Sequence, residues 1–294
     1  MSEQEFLAER FESHRAHLRA VAYRMLGSLS EADEAIQEAW LRVSRAGSDG
    51  VENVGGWLTT VVARIALDML RARKARREDS LEVHLPEPIV SRAEGVDPEH
   101  QLLLANSVGL ALLVVLETLA PAERLAFVLH DMFAMPFDEI APIVGATPTA
   151  ARQLASRARR RVQGSPTVPD ADLSRQREVV QAFLSASREG NFDALLAVLD
   201  PDVVLRADLG PRTGGSKEVR GARNVAGQAL TFARLGLSAR PALVNGAAGT
   251  VSSRDGQIFS VMGFTIVNDR IAQIHVLADP ERLRHVTWSE EVTR

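Results

Sequence analysis

The chain has 294 residues, of which 46% are hydrophobic and 24% charged, with a formal net charge of -4 and no cysteine. That length exceeds one small domain and fits two or three. The apolar content excludes global disorder, and the missing cysteines exclude a disulfide framework and a thiolate metal site. No apolar run approaches the roughly 18 residues of a membrane span. The first helix-length stretch carries Glu3, Glu5, Glu9, Arg10, Glu12 and Arg15, unlike a secretory signal. The expectation is a soluble, cytoplasmic protein with no membrane partner.

The sign of the charge is segregated along the chain. Arg64, Arg71, Arg73, Lys74, Arg76 and Arg77 face a single nearby acid, Asp68, and the stretch from Arg152 to Arg161 holds five arginines and no acid. Acids gather instead at Glu31, Asp33, Glu34 and Glu38. Local blocks of one sign identify surfaces better than the overall total does.

In chain order, residues 5–27 place Phe11, Leu18, Val21, Ala22, Met25 and Leu26 near helical spacing, and Gly27 ends the run. Ser30 with Asp33 three residues later predicts a capped start for a helix over 31–45. A polar loop over 46–56 precedes a third helix over 57–78, apolar at Leu58, Val61, Val62, Ile65 and Leu70 and basic at its end. Pro86, Pro88 and Pro98 predict an extended linker over 79–105. Helical periodicity returns at 101–119, and Pro121 opens another helix at its first position.

The stretch 136–162 reads as a helix-turn-helix. Its first helix buries Phe137, Ile140, Ala141 and Val144, with Pro142 as an interruption, and Gly145 supplies the turn. Thr147 is a good N-cap and Pro148 suits the first turn of the second helix. Ala151, Leu154, Ala158 and Val162 line one face of that helix. The opposite face carries Thr149, Arg152, Gln153, Ser156 and Arg160, flanked by Arg157 and Arg161. Short polar and amide groups near the N-terminus suit base edges, and arginines suit guanine or phosphate.

After a second linker over 165–173, helices are predicted at 174–189 and 192–199. Strands follow at 203–208, 240–245, 249–254, 257–267 and 270–277, with Asn268-Asp269 as a hairpin turn. Helices ahead of a mostly antiparallel sheet predict an α+β domain.

Two further stretches carry a family resemblance: Ser30-Glu-Ala-Asp-Glu-Ala-Ile-Gln-Glu-Ala-Trp-Leu-Arg-Val43 and Trp57-Leu-Thr-Thr-Val-Val-Ala-Arg-Ile-Ala-Leu-Asp-Met-Leu-Arg71. They resemble region 2 of the extracytoplasmic-function sigma factors, and 120–162 resembles their region 4. Three weaker markers resemble a subgroup with a fused SnoaL-like domain. These are His84-Leu-Pro-Glu-Pro88, with His where that subgroup has Trp, Thr213-Gly-Gly-Ser-Lys217, which lacks the subgroup's Asp, and Ala278-Asp-Pro-Glu-Arg-Leu283.

The resemblance implies a multidomain chain: all-α region 2 over 1–78, a linker over 79–105, region 4 over 106–164, a linker over 165–173, and an α+β SnoaL-like, cone-shaped regulatory domain over 174–294. It implies an alternative sigma factor that brings core RNA polymerase to minus-ten and minus-thirty-five promoter elements. Glu34, Gln37 and Glu38, sharing a helix face, would dock on the β′ clamp helices, and region 4 would lie near the β subunit. Arg64, Arg71, Arg73, Lys74, Arg76 and Arg77 would meet the minus-ten DNA, with phosphate contacts giving affinity and salt dependence. Arg64 stands where many relatives carry Asn, which leaves base preference open. Thr149, Arg152, Gln153, Ser156, Arg157 and Arg160 would read the minus-thirty-five major groove.

Gly214, Gly215 and Lys217 mark a flexible loop, and Asp279, Pro280 and Leu283 a docking tail, both able to touch the sigma core. The C-terminal domain would be regulatory, open to a small ligand of unknown identity. Asp208, His275 and Asp279 are the polar residues nearest its expected pocket, but no catalytic constellation, metal or cofactor is expected. Two other readings remain at this point: a one-component helix-turn-helix regulator with a ligand-binding domain, and a SnoaL-like cyclase with a DNA-binding appendage.

Overall fold

A computed structural model describes residues 3–47, 51–77, 85–92, 109–164, 172–286 and 288. The chain divides into two units, Met1–Leu81 with Val115–Gly164, and Glu82–Val114 with Ser165–Arg294.

The first unit opens with three helices, α1 (Glu3–Leu26), α2 (Leu29–Ala46) and α3 (Val54–Arg77), packed on one another. Their shared core holds Leu18, Val21 and Met25, then Ala35, Ile36 and Ala39, then Leu58, Val62 and Ile65, all nearly sealed from solvent. Small alanines on α2 let the helices approach closely, and Phe11 fills the remaining space edge-on against Trp40. The cap of α2 is Ser28, whose Oγ accepts from the Glu31 N–H at 3.3 Å. The predicted cap, Ser30, lies inside the helix and meets the Ser28 hydroxyl. The third helix starts three residues earlier than predicted, because Asn53 Oδ1 accepts from the Gly56 N–H.

The second half of this unit begins in the short helix α4 (Leu110–Glu117), of which Val115–Glu117 belongs here. Then come α5 (Pro121–Phe127), continued by a π-helical turn over Val128–Met132, then α6 (Phe137–Val144) and α7 (Pro148–Gln163). Gly145 sits at φ 72, the left-handed turn that lets α6 end and α7 begin. Pro142 lies within α6 with its ring at the surface, so the short helix tolerates the lost donor. The buried stripe of α7 is Ala151, Ala155 and Ala158, while Leu154 and Val162 are only half-buried. Alanines at that contact admit a closer helix than the predicted leucine and valine would.

The second unit is built on a seven-stranded sheet in the order β1-β4-β5-β6-β7-β2-β3. Its strands are β1 (Val90–Arg92), β2 (Leu199–Asp208), β3 (Ser216–Arg220), β4 (Ser238–Val244), β5 (Ala247–Arg254), β6 (Gln257–Val267) and β7 (Arg270–Leu277). All neighbours are antiparallel except β2 with β7. Asn268 and Asp269 both take positive φ, 53° and 61°, as the tight β6–β7 turn requires. Helices α8 (Leu173–Glu189), α9 (Phe192–Val198) and α10 (Ala222–Ala233) complete the domain, and Val179, Phe183 and Val225 join Ala248, Met262 and Phe264 in one core. A second core gathers Val90, Ala242, Val244, Val251, Val261 and Leu277 with Leu283 of the one-turn helix α11 (Pro280–Leu283).

Three predictions fail here. The strand β3 and the helix α10 were not expected: β3 is exposed and charged, and α10, which buries Val225 and Ala226, was not picked out from its sequence. Lys217 therefore lies on a strand and not in a flexible loop. The segment expected to run free as a linker contributes β1, paired with β4 at Val90↔Val244. Residues 85–89 of that linker are described as well, whereas 79–84, including His84, and 93–105 lie outside the described residues, as does 165–171.

Candidate nucleic-acid and polymerase interface

The basic face of α7 is open. Thr149, Arg152, Gln153, Ser156, Arg157 and Arg160 are all exposed, and Thr147 caps the helix by accepting from the Ala150 N–H at 3.2 Å. Two of the six are held in place. Arg152 lies over the Phe137 ring at 5.3 Å, and Arg157 donates to Glu123 Oε1 at 2.7 Å. Phe137 in turn stacks on His130 at 3.9 Å, so α5, α6 and α7 together fix the helix that would enter a groove. Thr149, Gln153, Ser156 and Arg160 are left to reach outward.

On α2, Glu34 and Gln37 are exposed and Glu38 is half-exposed, pairing with Arg42 at 2.8 Å. The exposed Leu41 continues that face one turn on. On α3, Arg64, Arg71 and Lys74 are exposed. The side chains of Arg76 and Arg77 lie outside the described residues.

Arg73 differs from its neighbours. Its Nη1 donates to the Leu26 carbonyl at 3.0 Å and to Glu31 Oε2 at 3.1 Å, and Nη2 lies 3.6 Å from Glu117 Oε1. Predicted to bind DNA, it is instead turned inward here, because the last carbonyls of α1 have no partner within the helix and a guanidinium satisfies them.

Arg124 does the same from the other half of the unit. It is 2% exposed. Its Nε and Nη2 both donate to the Arg24 carbonyl at 3.1 Å, and Nη1 to Glu117 Oε1 at 2.7 Å. Burial pulls its pKa down, while Glu117 opposes the shift and keeps it charged. Arg24 lies over the Phe133 ring at 4.5 Å, and burial lowers it to about 10. His17 meets Phe133 edge-on at 5.1 Å and lies 3.3 Å from Thr59 Oγ1, and burial, then His14 and Arg24, holds its pKa below the ordinary imidazole value. The three-helix bundle and the helix-turn-helix half thus share a buried, charged seam. Sequence reading missed it: an arginine beside Leu125 and Phe127 in an amphipathic helix gives no sign of where its head group ends.

In the second unit the first and third of the short motifs meet. Arg282 donates from Nη1 to Asp208 Oδ2 and from Nη2 to the Leu85 carbonyl at 2.6 Å. Asn245 Oδ1 accepts from the Ile89 N–H at 3.0 Å, and its own N–H donates to the Ile89 carbonyl at 2.8 Å. Gly210 sits at φ 77 against Asp279, where a Cβ would lie 2.7 Å from the carboxyl carbon. Lys217 donates to Gln228 at 2.8 Å on α10.

Asp279 caps α11 through the Glu281 N–H, Leu283 is buried in its own domain's core, and only Pro280 is exposed. The predicted tail is therefore spent largely within its own domain, because a short cap and a leucine find partners on the adjacent sheet. Gly214 and Gly215, at φ 118 and 68, form an exposed turn before β3.

The pocket candidates have structural roles too. Asp208 is held by Arg282. His275 is buried beside Gly263 and Arg206, and burial drops its pKa to about 3, so it stays neutral.

A basic helix-turn-helix packed with an acidic-and-basic three-helix bundle is the layout of a two-part DNA-binding transcription protein. Residues 10–76 match the Sigma-70 region 2 family and residues 109–162 match Sigma-70, region 4. The chain is 41% identical over 217 residues to the ECF RNA polymerase sigma factor SigJ of Mycobacterium tuberculosis, covering 73% of this chain and 69% of that one. It is 34% identical over 286 residues to the probable ECF RNA polymerase sigma factor SigI of the same species, covering 96% and 97%. The crystal structure of the M. tuberculosis SigJ aligns with a TM-score of 0.76 at 32% identity, over 96% of this chain and all of that one. The chain belongs to the extracytoplasmic-function RNA polymerase sigma factors. It is an alternative sigma factor whose two helical sigma regions are followed by an α+β domain. Among the described residues, no helix is long and apolar enough to cross a membrane.

Proposed function

We propose that this sigma factor brings core polymerase to its promoters through α2, α3 and α7, and that the C-terminal domain controls it by holding the segment between regions 2 and 4. The observation that carries the second half is Arg282, which ties the Leu85 carbonyl to Asp208 while β1 pairs with β4. A segment fixed at both its hydrogen-bonding edge and its carbonyls cannot extend freely. Glu34, Gln37 and Glu38 supply the face for the β′ clamp helices. Arg64, Arg71 and Lys74 meet the minus-ten DNA, joined by Arg73 once it is released from α1. Thr149, Gln153, Ser156 and Arg160 contact the minus-thirty-five element, with Arg152 and Arg157 braced beside them. Gly214, Gly215 and Pro280 remain available to contact the sigma core.

The test compares full-length protein with Arg282→Ala for binding to purified core polymerase and for transcription from a candidate promoter. Release of the segment predicts tighter core binding and more transcript from the variant. Unchanged core binding and transcription by Arg282→Ala rejects control through this segment. Failure of both proteins to bind core rejects the sigma role itself.

A further inference from the structure

The seam between regions 2 and 4 opens into a crevice of about 460 Å³. That lies within the roughly 300–1,000 Å³ range of small-molecule sites. Four cationic side chains line it: Arg73 and Lys74 from the end of α3, Arg124 from α5 and Arg161 from the end of α7. Two acids, Glu117 and Glu123, face them, which leaves an excess of two positive charges.

The acids are already engaged. Glu117 is bound to Arg124 at 2.7 Å, and Glu123 to Arg157 at 2.7 Å, outside the crevice lining. Glu123 lies 3.8 Å from Arg161, whose Nη1 donates to the Thr118 carbonyl at 3.1 Å. Arg73 Nη2 is buried with no hydrogen-bond acceptor. Lys74 is exposed, and among the described residues it forms no ion pair. A concave site with low-dielectric walls concentrates such a field and raises the local concentration of anions.

From this we infer that the crevice binds a small phosphate-bearing anion that bridges region 2 and region 4. A phosphoryl group supplies a double negative charge and several acceptor oxygens, which matches a lysine flanked by guanidinium groups. A simple carboxylate offers one charge and fewer oxygens. Such a ligand contacts both regions only while they are packed together.

The consequence rests on the sigma reading proposed above. Promoter elements about 25 base pairs apart are separated by roughly 85 Å of duplex at 3.4 Å per step, far more than a crevice shared by both regions permits. The anion therefore favours the packed form and opposes polymerase binding, since a ligand shifts an equilibrium by its preference for one state.

The test uses the full chain and inorganic pyrophosphate, titrated calorimetrically at constant ionic strength with sodium chloride as the control. Saturable one-site binding is expected, weakened at least tenfold in a double variant, Lys74→Gln with Arg161→Gln. Both positions are exposed, so the fold is preserved, and Arg188→Gln on α8 serves as an unrelated charge control. Core polymerase association is then measured without DNA or nucleotides. Pyrophosphate should weaken it for the parent chain and not for the double variant.

No saturable binding, or binding equal in the double variant, overturns the site. Binding of a short duplex lost in the double variant, with no pyrophosphate binding, also overturns it and assigns these cations to DNA. Binding with no effect on core association overturns the bridging role. Failure of the chain to associate with core under any condition rejects the sigma reading and leaves the calorimetric result standing by itself.

Discussion

Replacing Arg124 with alanine separates a structural seam from an ordinary surface contact. Arg124 is 2% exposed. The change removes both hydrogen bonds to the Arg24 carbonyl and the 2.7 Å pair with Glu117. Glu117, whose side chain is 11% exposed, would lose its 2.7 Å partner and keep Arg73 at 3.6 Å. Removing one partner of a buried pair costs about 3–5 kcal/mol, most of it the penalty on the group left behind. At about 1.4 kcal/mol per tenfold change, the middle of that range raises the population of separated regions by roughly three powers of ten.

The chain has no cysteine, so single cysteines placed at the exposed Arg45 and Gln163 allow site-specific dye labelling. Energy transfer between the dyes, followed through a urea titration, reports the packing of region 2 on region 4. The expectation is a large loss of transfer at low urea for Arg124→Ala. Pairing Arg124→Met with Glu117→Leu should recover much of the stability, because neither charge is then stranded. A shift under about 1 kcal/mol for Arg124→Ala, well short of the loss for a broken buried pair, would refute the reasoning.

Three other outcomes follow from the same geometry. His275 is lowered to about 3 when folded, against about 6.5 when unfolded, so the unfolded form binds more protons between those values and stability falls as pH drops through about 6.5. By pH 5 this one group removes about 2 kcal/mol, and His275→Asn should flatten the pH dependence of the C-terminal unfolding transition. Gly249→Ala places a Cβ 2.4 Å from Val244 Cγ2 and 2.6 Å from the Met262 carbonyl, so the β4–β5–β6 core must shift; a loss of about 1–3 kcal/mol is expected by calorimetry. On α7, Arg160→Ala should weaken DNA binding across all sequences and lower the salt slope by about one, whereas Gln153→Ala should relax preference at one base position. Equal effects of the two on every sequence tested would contradict those roles.

The helix-turn-helix was legible because its signals are local. Gly145 must adopt a left-handed turn and Thr147 must cap, whatever surrounds them. The hairpin at Asn268-Asp269 was legible for the same reason. The exposure of Glu34, Gln37, Arg64 and Arg71 was also legible, since the face of a helix follows from residue spacing, whereas the inward turn of Arg73 was not. The charged stretch after Gly215 was not, because β3 exists only through pairing with β2 and its residues are mostly exposed.

Sequence by itself therefore determined most of the helices, the turns at Gly145 and Asn268-Asp269, where blocks of positive and negative charge lie, and the resemblance that implied a sigma factor. Only the tertiary structure decided that Arg73 turns away from solvent, that Arg124 closes the end of α1, and that Arg282 ties the Leu85 carbonyl to Asp208. Those partners lie 42, 100 and 197 positions apart in the chain. Caps and turns are decided by neighbours a few residues away, whereas a buried guanidinium is decided by whichever distant carbonyl or carboxylate would otherwise be left without a partner.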